Sequence, residues 1–135
     1  MSPSIPTRGV SRHLYKNYLQ KADELYTSMQ SSHDNRLWNS TVINAIHCAI
    51  SSADALTVFY LGFRHAGGKH NDVLLLLDQL EIDRNEVKGK IRQLVSLLSI
   101  KNSAEYEERL MSEKDANSAR KAAERFYRWV KDRLE

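Results

Sequence analysis

The stretch that decides the fold is residues 38–63, WNSTVINAIHCAISSADALTVFYLGF. Apolar side chains recur in it at steps of three and four, the spacing of one helical face: Trp38, Val42, Ile46, Ala49, Ala53, Leu56 and Tyr60. A second apolar row lies beside the first: Ile43, Ile50, Thr57 and Leu61. Because a helix that is apolar over so much of its circumference lies centrally in a bundle, the stretch predicts a long central helix.

Other helical patterns lie on both sides of this stretch, while strand patterns are almost absent and both prolines fall within the first six residues. The patterns predict helices over residues 10–30, 73–80, 84–100 and from about 112–115 to the C-terminus, with a turn at 31–35 and a loop or helical extension at 101–111. We predict an all-α bundle of about five helices, four long and one short. It forms a single domain over residues 10–135 after a flexible N-terminal arm, residues 1–9.

Charge and cysteine content narrow the class of protein. The net charge of +3 and pI near 9.0 are compatible with nucleic acid, but also with ordinary solubility. The single cysteine, Cys48, allows no intramolecular disulfide and suits the reducing cytoplasm. Residues 1–12 are polar and do not resemble a signal peptide. The longest apolar stretches are shorter than the ~20 residues of a membrane span, so we expect a cytoplasmic protein with no membrane partner.

A polar row lies on the least apolar side of the central helix: Asn44, His47, Ser51 and Asp54. Steps of three, four and three place these residues on one face. The row is typical of a solvated helix face. However, apolar residues flank Asp54 on the same helix, and a carboxylate among apolar neighbours needs a partner. A cation or loop amides from another segment would supply that partner.

Two histidines, His65 and His70, flank a Gly-Gly turn. A metal site would need two or more further donors, and no Cys or acidic cluster lies beside them, so we expect no metal and no cofactor. Gly67-Gly68-Lys69, before a short helix, is a weak signal for an anion pocket and is more typical of a flexible turn. Farther on, Lys101-Asn102 ends an apolar helix and Tyr106 follows one turn later. Taken alone, this segment is ordinary helix C-terminal chemistry.

Together, four stretches of the sequence resemble a HEPN (higher eukaryotes and prokaryotes nucleotide-binding) domain over about residues 15–134. The stretches are residues 44–56, 62–70, 101–106 and 119–130. The resemblance implies an antiparallel up-and-down helical bundle that commonly dimerises. Many members are metal-independent RNases of toxin or defence systems, often paired with a nucleotidyltransferase antitoxin. Others are inactive and bind RNA, nucleotides or proteins.

The sequence departs from the RNase members of this family at their catalytic motif. Those members carry an Arg, four to six residues, then a His; the Arg stabilises phosphate charge and the His transfers protons. Here the matching place holds Lys101 and Tyr106, and Asn102 matches the polar residue that follows the motif Arg. Lys contacts phosphate only as a point charge, and Tyr, with an ordinary pKa of about 10, is a poor proton shuttle.

Literal Arg–His strings with the motif spacing occur elsewhere, at Arg8–His13 and Arg64–His70, and chance alone would produce about one such match. We therefore expect a homodimeric, non-catalytic module that binds RNA, a nucleotide or a protein. The alternatives are an RNase toxin using Arg64 and His70, or Lys101 and Tyr106, and a structural adaptor without a nucleic-acid role.

Two further expectations concern single side chains. Trp129 falls off the apolar stripe of the last helix, so it either widens the core face or marks a partner contact. In the HEPN arrangement, the 101–106 turn faces the second helix. The resemblance therefore implies that Asp54 bonds to Lys101, to Asn102 or to backbone amides of that turn.

Overall fold

The computed structural model describes residues 5–67, 69 and 71–135, except for the side chains of residues 102, 105 and 106. Its long helices are α1 (Tyr15–Asp34), α2 (Trp38–Leu61), α4 (Arg84–Ser99) and α6 (Glu113–Leu134), and its short ones are α3 (Asp72–Leu77) and α5 (Lys101–Tyr106). A 3₁₀ turn, Arg12–Leu14, precedes α1, and β1 (Thr7–Gly9) and β2 (Phe63–His65) are three-residue strands. The prediction of an all-α bundle with four long helices is confirmed.

Contacts at both ends of the bundle define the helix directions. The Met111 amide, just before α6, donates to Asn39 near the start of α2 (2.7 Å), while Arg133 donates to Tyr60 at the other end of both helices (3.5 Å). Thus α2 and α6 run the same way. At the end of α1, His33 contacts Asn117 near the start of α6. Arg133 near the end of α6 also donates to Glu86 in the first turn of α4, so α4 runs opposite to α6. Consecutive long helices are therefore antiparallel, as the family resemblance implied.

The central helix is α2, which packs against both α1 and α6. Val42, Ile46 and Leu56 are fully buried, whereas Tyr60, predicted on the same stripe, is 38% exposed where it meets Arg133. Among the described residues, α2 is the one helix long and apolar enough to cross a membrane. However, 72% of its most apolar window is buried inside the protein, as in the core helix of a bundle.

The start of α6 is fixed by a capping box. Ser112 Oγ accepts from the Asp115 amide (3.1 Å), and the Asp115 carboxylate accepts from the Ser112 amide (2.9 Å). The bond from the Ser112 amide, assisted by Arg109, lowers the pKa of Asp115. Capping satisfies amides that the first helical turn leaves unbonded, so the helix begins within the predicted 112–115 window.

Several predicted boundaries were wrong. The first helix begins at Tyr15 rather than at residue 10, and the short helix ends at Leu77 rather than at residue 80. Residues 31–34 belong to the last turn of α1 rather than to a turn, because Ser32 Oγ bonds to the Ser28 carbonyl (2.7 Å) and is satisfied inside the helix. The second helix ends at Leu61 rather than Phe63. Gly62 has φ +80°, the left-handed conformation that glycine adopts at helix ends, and it redirects the chain into β2.

The two-stranded sheet was not predicted. Antiparallel β1 and β2 pair Thr7 with His65, Arg8 with Arg64 and Gly9 with Phe63. The Val10 amide extends the pairing by donating to the Gly62 carbonyl (3.0 Å). Consequently the last three residues of the predicted flexible arm form a strand that pairs with β2. The domain limits of 10–135 stay a prediction.

Candidate functional site

An open pocket of about 650 Å³ lies where the β1–β2 sheet meets α1 and α2. It is mainly polar, and the side chains along it come from all four elements and the segment between β1 and α1: Arg8, Gly9, Val10, Ser11, Leu14, Asn17, Tyr18, Lys21, Ser51, Asp54 and Arg64. Three of these residues are cationic and one is anionic. The pocket is therefore suited to a negatively charged ligand that also carries hydrogen-bond donors.

Arg8 and Arg64 are direct cross-strand partners, and both line the pocket. Side chains directly opposite each other on an antiparallel pair share a face, and like charges in that position are destabilising. Lys21, on α1, contributes a third cation to the same pocket. An anion held among these groups would relieve the repulsion, which makes phosphate the ligand chemistry that best fits the site.

The guanidinium of Arg64 is held in place. Its Nη1 donates to the His65 carbonyl (3.0 Å), and its Cζ lies 5.8 Å from the centre of the Tyr18 ring. Lys21 Nζ lies 5.2 Å from the same ring. Within the described part of the chain, the buried Nε of Arg64 has no hydrogen-bond partner. Arg64 thus lines the pocket with its guanidinium fixed in position.

Asp54 is 6% exposed and lines the pocket from α2. Its Oδ1 lies 3.2 Å from Nδ1 of His65 on β2, which is 4% exposed and does not line the pocket. The contact has the distance of an ion pair but not the angle of a good hydrogen bond. Because His65 occupies the buried Oδ1, Oδ2 is the oxygen of Asp54 left for the pocket.

The predicted polar row on α2 faces α1 rather than open solvent. Asn44 Nδ2 donates to Ser32 Oγ on α1 (3.3 Å), and Ser51 and Asp54 line the pocket that α1 borders. His47 is half-buried. The interpretation as a solvated face was therefore wrong, and the alternative, a partner from another segment, is correct for Asp54.

The family model of the HEPN domain matches residues 15–133, which span α1 to α6 except for the last residue of α6. The chain belongs to the HEPN domain family. It matches no curated protein sequence. Lys21, Asp54 and Arg64 lie inside the matched range, whereas Arg8 precedes it. The cross-strand arginine pair of this HEPN domain thus joins one residue within the family match to one outside it.

The partner predicted for Asp54 was wrong. Its described partner is His65, whereas Lys101 begins α5, directly after the end of α4. That end of α4 lies beside the first turns of α6, since Ser99 and Ile100 share a groove with Asp115 and Ala119. The start of α6 is at the opposite end of the bundle from Tyr60 and β2, so α5 is remote from Asp54.

Of the three predicted motif pairs in this HEPN domain, Arg8–His13 is the one whose side chains both lie within the described residues. His70, and the side chains of Asn102 and Tyr106, lie outside the described residues. Arg64 lies on β2 rather than at a helix end. His13 is exposed in the 3₁₀ turn and does not line the pocket with Arg8. Across the described ranges, no three His, Cys, Asp or Glu side chains converge as metal ligands.

Trp129, the predicted interface residue, makes contacts within its own chain. Its Nε1 donates to Glu86 on α4 (2.5 Å), and Arg133 also donates to that carboxylate (2.9 Å). These hydrogen bonds, from Trp129 first and then Arg133, lower the pKa of Glu86. The off-stripe position of Trp129 is thus explained by α4 packing on α6, and the homodimer prediction loses its support from this residue.

The sequence did not reveal Arg8, Lys21 or His65 as one site. Arg8 belonged to an Arg–His string that chance explains, and His65 belonged to a pair of histidines. Lys21 belonged to no predicted pattern. What brings the three together is the pairing of β1 with β2 beside α1. Neither three-residue strand has the alternating apolar pattern that would have indicated it.

Proposed function

We propose that this HEPN domain binds RNA or a nucleotide through phosphate contacts in the pocket formed by Arg8, Lys21 and Arg64, without cleaving it. The observation that carries the proposal is the cross-strand pair of Arg8 and Arg64, both directed to one pocket. Arginine contacts phosphate through two parallel hydrogen bonds, which suits it to this role. The proposal agrees with a family that generally binds nucleotides or acts on RNA.

The absence of cleavage is proposed on chemical grounds. At the place of the family's Arg–His motif, the chain has Lys101 and Tyr106, which lack the bidentate contact and the near-neutral pKa of that pair. His65 contacts Asp54 but does not line the pocket. We expect total RNA to stay intact when incubated with the protein and a chelator. Degradation that Arg64→Gln abolishes would establish the alternative, a metal-independent RNase.

The test of binding is its dependence on salt. Each phosphate contact to a single strand contributes a slope of about −0.7 to the plot of log affinity against log salt concentration, so three cations predict about −2. Fluorescence anisotropy with a labelled single-stranded RNA at several salt concentrations measures this slope. A slope near zero would contradict phosphate binding at the pocket.

A second candidate function is protein binding through an apolar groove between α3 and α4. The groove, of about 340 Å³, is lined by Leu74, Leu75 and Ile91, and Leu75 is 52% exposed. Exposed apolar surface of this kind is typical of protein contacts. Binding there would depend little on salt, so the same titration with a protein partner separates the two functions.

We also propose the assemblies that the family suggests. These are a homodimer in the cytoplasm and a nucleotidyltransferase-type partner in a toxin–antitoxin or defence system. HEPN domains often dimerise, and two copies would present two pockets. Light scattering at micromolar concentration tests the dimer. A species of only 15.6 kDa, the mass of one chain, would contradict it.

A further inference from the structure

We propose that the pocket recognises the sugar–phosphate backbone of RNA rather than its bases, with Asp54 accepting a hydrogen bond from a ribose 2′-hydroxyl. This inference rests on the proposed phosphate-binding function. It adds a second contact, of opposite charge, and a preference for RNA over DNA. Asp54 on α2 makes the new contact, beside the three cations from β1, α1 and β2.

The carboxylate of Asp54 is poorly suited to contact a phosphate, but it is well suited to accept a hydrogen bond from a donor group. Among the described residues, it is the one anion lining a pocket to which three cations also contribute. Oδ1 contacts His65 at 3.2 Å, and Oδ2 has no hydrogen bond among the described residues. An ionised carboxylate only accepts hydrogen bonds. A ligand that fits both halves of the pocket therefore has a phosphate group close to a hydroxyl or N–H group.

The aromatic contact in the pocket argues against recognition of the base. Proteins that read single-stranded RNA usually stack its bases on aromatic rings. Tyr18 is the aromatic side chain that lines this pocket within the described part of the chain. Lys21 Nζ and Arg64 Cζ lie 5.2 and 5.8 Å from the centre of its ring. Since two cations occupy the ring, the hydrogen-bond donor that reaches Asp54 is assigned to the sugar, next to the phosphate.

A ribose 2′-hydroxyl is the group that distinguishes RNA from DNA at a given contact. The chemistry of Asp54 thus predicts that RNA binds more tightly than DNA of the same base sequence. It also predicts little dependence on which bases are present. A hydrogen bond to a charged group corresponds to a preference of about tenfold.

The test compares labelled oligomers of uridine and deoxyuridine of equal length, which differ only at the sugar, by fluorescence anisotropy. For the wild-type chain we expect the ribo-oligomer to bind about tenfold more tightly, and oligomers of uridine and adenosine to bind within about threefold of each other. Equal binding of the two sugars, or a strong base preference, would overturn the inference while leaving phosphate binding intact. Failure of every oligomer to bind would overturn the proposed function itself.

Variants at Asp54 test whether its carboxylate causes the preference for RNA over DNA. In Asp54→Ala, the RNA-to-DNA affinity ratio should fall from about tenfold to near one, while DNA affinity does not fall, because a negative charge has been removed. Asp54→Asn keeps the shape of the side chain and replaces the alanine variant if that variant does not fold. The RNA-to-DNA affinity ratio of Asp54→Asn should also fall. Asp132→Asn, an exposed change on α6, is the matched control and should keep the ratio. An unchanged ratio in a folded Asp54 variant would overturn the assignment.

Discussion

The Asp54 Oδ1 atom lies 3.2 Å from His65 Nδ1, and both residues are more than nine-tenths buried. The contact joins the last third of α2 to β2, immediately after the chain reverses at Gly62. Burying either group alone would leave a polar side chain without its partner, which is costly. The pair therefore holds β2 against α2 and places Arg64 at the pocket.

Replacing Asp54 should destabilise the fold. Asp54→Ala leaves His65 buried without this contact, and we expect a loss of about 1–3 kcal/mol in the free energy of unfolding. Asp132→Ala removes the same group from an exposed position on α6 that has no described contact, and should change stability by less than about 0.5 kcal/mol. Urea denaturation followed by circular dichroism measures both. Equal effects of the two substitutions would contradict a structural contact at Asp54.

A double-mutant cycle tests which residue is the partner of Asp54. Asp54→Ala and His65→Ala should be non-additive by about 0.5 kcal/mol or more, because they break one contact. Asp54→Ala and Lys101→Ala should be additive within about 0.5 kcal/mol, because α5 is at the other end of the bundle. Coupling of Asp54 to Lys101 and not to His65 would restore the partner that the family resemblance implied.

The end of α2 depends on the backbone conformation of Gly62. Ala there would meet no atom within 4 Å but would have to adopt φ +80°, which costs about 1 kcal/mol. Gly9→Ala is the matched control, since its added Cβ also meets nothing within 4 Å, at an ordinary φ. Thermal unfolding should show a lower Tm for the Gly62 variant and little change for the Gly9 variant. Equal Tm shifts would show that the left-handed turn is not required.

The contact between α4 and α6 should weaken in acid. Hydrogen bonds from Trp129, and then Arg133, lower the pKa of Glu86 in the folded chain. A carboxyl whose pKa is depressed by folding stabilises the fold above its unfolded pKa, and this contribution is lost as pH falls through the folded pKa. The stability difference between wild type and Glu86→Gln should therefore be largest at neutral pH and shrink below about pH 4.

Urea denaturation over a pH series measures the Glu86 difference. Glu81→Gln, an exposed change in the loop before α4, is the control and should show no such trend. If the difference between wild type and Glu86→Gln is the same at every pH, the charge of Glu86 does not contribute to stability.

The sequence was sufficient for features that depend on neighbouring residues. The periodic spacing of apolar residues predicted the central helix, because burial repeats along one face of a helix. The apolar residues around Asp54 indicated that its carboxylate needed a partner. The predicted start of α6, near residues 112–115, agrees with the capping box that Ser112 and Asp115 form in the structure. Each of these signals lies within a few residues of the feature it predicts.

The pocket could not be predicted because it is made by residues far apart in the chain. Arg8 and Arg64 become neighbours only when β1 pairs with β2, and that pairing is supplied by the bundle rather than by strand-forming residues. The same pairing brings His65 to Asp54, which is why the partner expected from the family was wrong. Trp129 likewise donates a hydrogen bond to a residue of a different helix, Glu86.

Two double variants of equal charge test phosphate binding by the cross-strand arginines. Arg8→Gln/Arg64→Gln removes the pair, and Lys121→Gln/Arg125→Gln removes two exposed cations of α6 that have no described contacts. RNA affinity is measured against salt concentration by fluorescence anisotropy. We predict that the arginine-pair variant binds at least about tenfold more weakly and that the magnitude of its salt slope falls by about 1.4, while the α6 variant keeps the wild-type slope. Equal weakening of both variants, or loss of binding in the α6 variant alone, would contradict phosphate binding by Arg8 and Arg64.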